Sequence, residues 1–307
     1  MRLSINEIFF GGRGGYERKV ELYAAAGFDA IDFSMFGMRN DLKCDILKSD
    51  DYRKIAEYLR KTANNAGLTV NQTHAPFKFN LKDWNDPVVY RDTIYPMLVR
   101  SLEVSAILGA DICVMHPLHH FTYKGREEEI FNINMDFYRS LIPYCREWNI
   151  KVGIENMWQE DPKHRTITHD VCSHKEEFVR YIDTLDSEYM VACLDVGHVG
   201  LPTAQEDEVE DFILALGHDR LKALHIHDNN YCTDQHTVPF AGKLNWAKIA
   251  EALGKIDYTG DFTYEIYDAN VGFICGTPNE FLPTALKYIA DIGKYIISDV
   301  EQNRVRN

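Results

Sequence analysis

The sequence of 307 residues contains no apolar run long enough to span a membrane, because charged residues interrupt its hydrophobic stretches every few positions. Its first residues, MRLSINEIFFGGRGG, hold one Arg but neither a long apolar core nor a small-residue cleavage site, so no signal peptide is read. Cysteine is sparse and scattered: seven residues, an odd number, never spaced Cys-x-x-Cys. That excludes a local zinc ribbon and gives no disulfide framework, and a reducing, cytoplasmic setting is expected. Cys113 and Cys193 sit inside apolar runs and read as small buried residues. Positive charge is also short, with 33 Lys and Arg against 47 Asp and Glu, a net charge of −14. Duplex-binding proteins neutralise phosphates with a basic stripe, and no Lys/Arg cluster stands out here, so nucleic acid is disfavoured as a partner. The stretch Gly11-Gly12-Arg13-Gly14-Gly15 lacks phosphate-loop spacing and reads as a flexible first loop.

What the chain does have is a beat. Short apolar runs at 2–8, 28–34, 68–75, 111–117, 151–157, 189–198, 221–228 and 261–267 alternate with helical patterns at 16–26, 51–66, 88–108, 128–148, 175–185, 206–216, 246–253 and 280–297. Helices arriving between strands imply parallel strands, since a parallel return needs a crossover. Eight such units predict an α/β fold, a single-domain (β/α)8 TIM barrel over residues 1–297, followed by a polar tail at 298–307. A doubly wound open sheet is the alternative. Helix-to-strand links are short and marked by Gly27, Gly67 and Gly109, where a left-handed cap reverses the chain. Strand-to-helix links are mostly long, and a barrel gathers all of them on the face where its active sites lie. The acidic run 206–211 reads as a solvated helix start, with Thr203 and Glu206 at capping-box spacing.

The strand ends carry the chemistry. Strand three ends in His74, strand four in His116, strand five in Glu155, strand six in Asp195 with His198 three residues on, strand seven in His225 and strand eight in Glu265. Gly153, Cys193, Ala223 and Thr263 lie two residues earlier and share a face with their acid or imidazole. Ile154, Leu194, Leu224 and Ile226 have the opposite parity and suit packing on helices. His225 and His227 both point inward, and periodicity does not choose between them. Any one of these groups alone reads as a hydrogen-bonded polar residue or half of an ion pair. As one ring of nitrogen and carboxylate donors they point to a divalent metal: Zn, Mn, Co or Mg.

The ordered motifs are His-Ala-Pro-Phe from His74, His-Pro from His116, Gly-Ile-Glu-Asn around Glu155, Leu-Asp-Val-Gly-His from Leu194 and His-Ile-His-Asp-Asn from His225. Asp-Gln-His from Asp234, Gly-Lys-Leu-Asn-Trp from Gly242 and Tyr-Glu-Ile around Glu265 follow. Together they cover nearly the whole chain, and the sequence resembles the xylose isomerase-like barrel superfamily of sugar (phosphate) isomerases and epimerases, which also includes the endonuclease IV branch. The resemblance implies one divalent ion on Glu155, Asp195, His225 and Glu265. It implies proton transfer by Glu155 and Glu265, with His198 touching substrate. His225 then matches the ligand, and His227 lies in the variable stretch after it. His74, His116, His227, Asp234, His236 and Trp158 are the expected substrate contacts. Family members often form dimers or tetramers, which makes a homo-oligomer the expectation. The ketose 3-epimerases end their His motif with an Arg, whereas here Asn230 is followed by Tyr231.

Removing a proton beside a carbonyl creates an enediolate, and two carboxylates on opposite faces of that planar species can take and return the proton. The implied activity is therefore a metal-dependent isomerase or epimerase acting on a ketose or related polyol sugar. No Lys/Arg cluster marks a phosphate handle. Trp84, Trp158, Phe240 and Tyr267 are placed to stack on a sugar or glycoside, or simply to pack the loops. The same ligands serve a dehydratase or lyase of the inosose or C-glycoside type. An endonuclease IV-like AP endonuclease would draw on the wider set His74, His116, Glu155, Asp195, His198, His225, Asp234, His236 and Glu265, against the acidic charge.

Overall fold

The computed structural model describes residues 1–10, 15–35, 46–201, 208–271 and 278–304. The barrel strands are β1 (Leu3–Asn6), β2 (Ala30–Ser34), β3 (Thr69–His74), β4 (Ile112–Met115), β5 (Lys151–Glu155), β8 (Met190–Asp195), β9 (Leu221–His225) and β10 (Phe262–Tyr264). Each pairs in parallel with the next, and β10 pairs with β1. The remaining seam, between β9 and β10, is joined by Ile226 N–H donating to Thr263 O at 2.8 Å and Glu265 N–H to Ile226 O at 3.0 Å. The fold is thus a single-domain, eight-stranded TIM barrel.

The helices are α1 (Tyr16–Ala26), α2 (Tyr52–Asn65), α3 (Leu81–Trp84), α4 (Pro87–Val89), α5 (Tyr95–Leu108), α6 (Glu127–Trp148), α7 (Lys175–Leu185), α8 (Val209–Arg220), α9 (Trp246–Lys255) and α10 (Leu282–Arg304). Gly27, Gly67 and Gly109 follow α1, α2 and α5 with φ of 92°, 86° and 89°, the left-handed conformation that glycine adopts without a Cβ clash. Among the described residues no helix is long and apolar enough to cross a membrane.

Side-chain parity sorts the core as the strand period requires. Ile154, Leu194, Leu224 and Ile226 are fully buried in the large shell between strands and helices. Inside the barrel a separate small cluster forms from Ile112, Val114, Val191, Cys193 and Ala223. Gly153 belongs to that layer, because a Cβ there would stand 3.1 Å from Ile112 and 3.2 Å from Cys193. The register shift between Ile31 and Asp32 lets both Asn71 and Gln72 reach polar partners, Asn71 to Thr263 Oγ1 at 3.0 Å and Gln72 to Asp32 at 3.4 Å. Small and apolar groups fill the barrel on the side of β4, β5, β8 and β9, and hydrogen-bonded Asn71, Gln72 and Thr263 fill it on the side of β3 and β10. Glu155, Asp195 and Glu265 stand at its rim.

Four boundaries differ from expectation. The run 88–108 is interrupted by a π-helical turn at Tyr90–Ile94 before α5. The loop after β5 forms a hairpin, β6 (Trp158–Asp161) antiparallel to β7 (Thr166–His169), which the polar sequence did not announce. The helix expected from 206 begins at Val209, capped reciprocally by Glu208 and Asp211; Thr203 and Glu206 lie outside the described residues, as does the glycine-rich stretch 11–14. The expected polar tail is helical as far as Arg304: Val300 is buried, Glu301 pairs with the amino terminus at 3.3 Å and Arg304 with Asp257 at 3.2 Å. One buried valine and these ion pairs keep those turns on the barrel wall. Deleting 298–307 is therefore expected to lower the unfolding free energy by roughly 2–3 kcal/mol, read from denaturant midpoints; an unchanged midpoint would make the segment dispensable.

Candidate metal centre

Each rim residue is delivered by the strand that carries it, and the barrel's curvature brings them together. Glu155, Asp195, His225 and Glu265 form a buried group in which one donor atom from each lies within 4.8 Å of the others. His225 Nδ1 stands 3.1 Å from Glu155 Oε1, 3.3 Å from Glu265 Oε2 and 4.0 Å from Asp195 Oδ2. Three carboxylates and an imidazole at these distances, all buried, match the oxygen and nitrogen donor set of a divalent cation.

Two further groups flank this one and share its acids. Glu155 Oε2 faces His74 Nε2 at 3.3 Å and His116 Nε2 at 3.2 Å. Asp195 Oδ1 faces His227 Nε2 at 2.9 Å, and His198, His227, Asp234 and His236 form a cluster on that side. Within it Asp234 Oδ2 lies 3.0 Å from His236 Nε2 and 3.4 Å from His198 Nε2. Every residue expected at the site except Trp158 is thus in one continuous network, and Trp158 stands at its edge, 6.4 Å from the His198 ring. His227, placed by the resemblance in a variable stretch, stacks on His236 with centroids 4.0 Å apart.

The network is electrostatically tense. Burial alone would raise Glu155, yet His225 and His116 hold it well below the usual carboxylate range. Burial likewise opposes the charged form of His198, but Asp195 and Asp234 raise it well above an ordinary histidine. His236 is pushed up to about 9, with burial opposing and Asp234 prevailing. Burial raises Glu265, and His225 and His236 pull it back only in part. These acids require positive charge beside them, from protons on the histidines or from a cation that displaces those protons.

Residues not singled out from the sequence hold the arrangement in place. Asn156, next to Glu155, accepts from Asp195 N–H at 2.8 Å and donates to Asp195 O at 3.0 Å, while its carbonyl meets His198 Nδ1 at 2.8 Å. It ties β5 to β8 and orients an acid of the centre and a histidine at once. Asp228 accepts from Asn229, Phe240 and Leu244 N–H at 2.8, 3.0 and 3.1 Å and from Trp246 Nε1 at 2.9 Å, which folds the loop that carries Asp234 and His236. Gly197 lies so close to the His227 ring that a Cβ would overlap it. The motifs Glu-Asn, Asp-Val-Gly-His and His-Asp-Asn are thus supports as much as donors.

Above the centre opens a cavity of about 880 Å³, reached by Glu155, Glu265, His116, His198, Asp234 and His236. Of the rim aromatics, Trp158 and Tyr267 line it. Trp84 instead packs between Phe79 and His120, and Phe240 leans on Trp246 and Tyr295, outside the cavity. Tyr231 directs its hydroxyl to Glu208 at 3.1 Å, so it does not stand in for the epimerases' Arg.

A family model described as the xylose isomerase-like TIM barrel matches residues 20–292. The chain belongs to this family. Within it, the chain is 25% identical over 263 residues to the D-psicose 3-epimerase of Enterocloster bolteae, covering 84% of this chain and 79% of that one. In structure it is similar to a D-tagatose 3-epimerase-like protein, with a TM-score of 0.73, 19% identity and 97% and 99% of the two chains covered. It is also similar to the 3-keto-D-glucoside 4-epimerase YcjR of E. coli, with a TM-score of 0.67, 18% identity and coverage of 95% and 98%. The chain presents these acids and histidines at or just beyond the C-terminal ends of its strands.

Asp32, on β2, is a further buried acid beside the centre. Its Oδ2 lies 3.6 Å from His225 Nε2, the ring nitrogen that faces away from the centre. A carboxylate behind a ligating imidazole fixes its tautomer and strengthens it as a donor. Asp32→Asn is therefore expected to weaken divalent-metal affinity by about 10-fold or more, measured by titration calorimetry; unchanged affinity would leave Asp32 without this role.

Proposed function

We propose that the chain is a divalent-metal-dependent sugar isomerase or epimerase acting through an enediolate on a ketose or related polyol sugar. The observation that carries this is the placement of Glu155 and Glu265 on two sides of His225 Nδ1, at 3.1 and 3.3 Å, with both lining the cavity. A divalent cation held by Glu155, Asp195, His225 and Glu265, when bound, stabilises negative charge as it develops on the substrate oxygens. The two glutamates act on the carbon beside the carbonyl, one taking a proton and the other returning one on the opposite face. His198, aligned by Asn156, and the Asp234–His236 pair direct the sugar hydroxyls. Return to the same carbon is epimerisation; return to the neighbouring carbon is isomerisation. The same proton removal followed by loss of a neighbouring group is the dehydratase or lyase variant of this reading.

The three adjoining groups of donors favour a second reading, hydrolysis of a phosphodiester at an abasic site by a multi-metal centre, since all nine residues of that wider set are gathered. A net charge of −14 weighs against a DNA partner.

Deuterium exchange beside the carbonyl separates the two. Ketoses incubated in heavy water with metal-loaded protein are expected to exchange, and Glu155→Gln or Glu265→Gln is expected to slow the exchange by roughly 10²–10⁴-fold. Failure to exchange any sugar, together with nicking of abasic DNA, would replace the isomerase reading with the hydrolytic one.

A further inference from the structure

On the enediolate reading, Glu155 and Glu265 are the two proton carriers that epimerisation needs. The cavity holds a third acid–base group that this chemistry leaves unused. Five described histidines line it. Three of them face acids of the rim network: His116 meets Glu155 at 3.2 Å, and His198 and His236 meet Asp234 at 3.4 and 3.0 Å. His120 lies flat on Trp84, and burial holds it down to about 4, so it is a neutral packing ring at pH 7. His119 differs from all of these. Its Nδ1 stands 2.8 Å from Oδ2 of Asp170, which belongs to none of the rim's donor groups.

The pair is built asymmetrically. Asp170 is fully buried just after β7. Its Oδ1 accepts from Val171 N–H at 2.8 Å, and its own N–H donates to Ser173 Oγ at 3.1 Å. The His119 carbonyl accepts from Gln159 Nε2 at 3.1 Å, so both partners are fastened to the β6–β7 hairpin. The His119 side chain, by contrast, is 30% exposed and lines the cavity. An ion pair built only for stability has no need to turn its imidazole toward the cavity. A carboxylate on Nδ1 fixes the ring's tautomer and leaves Nε2 as the edge that exchanges protons. The ring lies 5.7 Å from that of His116, one ring further from the centre than the groups that compensate Glu155. A sugar with its reacting C–H at Glu155 presents there an oxygen from further along its chain.

Resting on the enediolate reading above, we propose that His119, oriented by Asp170, is a third catalytic proton carrier that protonates a substrate oxygen as it leaves carbon. Two oxygens of a polyol ketone answer to this chemistry. In a closed ketose the anomeric hydroxyl loses its proton to water and the C=O forms. The ring C–O bond breaks with its pair going to oxygen, and that oxygen takes the proton of His119. In an elimination one glutamate takes the C–H proton and the C–H pair becomes the C=C of the enediolate. As the carbonyl is restored, the pair moves on to form a new C=C and the next carbon's C–O bond breaks. The departing hydroxide takes the His119 proton and leaves as water. His119 recovers its proton from solvent in both cases, and no oxidant or reductant enters.

The test uses the full, metal-loaded chain and three ketones in heavy water. A four-carbon ketose cannot close a ring, a ketohexose is closed, and an inosose has a carbocycle without ring oxygen whose loss of water is read by enone absorbance. His119→Ala is expected to leave exchange of the four-carbon ketose unchanged. It is expected to lower either ketohexose exchange or inosose dehydration by about 10²-fold; the first result names the ring oxygen and the second the leaving group. Added imidazole is expected to restore the lost step alone, and Asp170→Asn to repeat the selective loss at smaller size. Equal loss on all three ketones, or no loss on any, is the behaviour of a structural latch and would overturn the assignment. Exchange of the four-carbon ketose by the unaltered chain keeps the enediolate reading standing in that event. An unaltered chain that exchanges none of the three would overturn both.

Discussion

Burying carboxylates side by side is the constraint on which the rest of the rim depends. Glu155, Asp195, Glu265 and Asp32 are all buried, and the first three crowd around a single imidazole nitrogen. Removing a carboxylate from water costs several kcal/mol unless opposite charge and hydrogen bonds replace the lost solvation. Here the replacement comes from histidines on six sides: His74 and His116 against Glu155, His227 and His198 against Asp195, His225 among all three, and His236 beside Glu265. That is a costly way to build a structural ion-pair network and an ordinary way to build a cation site. The arrangement is consistent with a metal site at its middle.

The barrel supplies the geometry that makes such crowding possible. Strands with small or apolar inner residues, Gly153, Cys193 and Ala223, let the interior close beneath the charged layer. The loops above are then held by polar latches rather than by apolar packing. Asn156 joins two strand ends, Asp228 organises the long loop after β9, and Gln159 fastens the hairpin to the loop after β4. Each latch lies next to a functional residue in sequence, so the motif that delivers a donor also fixes the loop that surrounds it.

The eight-fold beat and the strand-end donors were legible because both rest on short-range rules: alternation of side chains along a strand, and the gathering of strand ends by closure. Glu155, Asp195, His225 and Glu265 could be read in order because each ends an apolar run. What escaped depends on tertiary contact. Asp32 lies in an apolar run that announces nothing, and only the fold sets it behind His225. The β6–β7 hairpin is built from WQED and TITH, segments too polar to signal strands, and it is stabilised by the loop it packs against. By periodicity His227 was interchangeable with His225, and the resemblance left it in a variable stretch; the turn after β9 carries it to Asp195. The end of α10 read as a tail because a single buried valine, Val300, keeps its last turns on the barrel.

The central claim, that this rim is a cation site, is tested most directly by stripping the protein with a chelator and titrating Mn, Mg, Co or Zn back while following Tm and bound metal per chain. The expected result is at least about one tightly bound ion per chain and a Tm that rises with metal concentration, as binding to the folded state alone requires. A stripped protein that takes up no ion, and whose Tm is indifferent to all four metals, would contradict it.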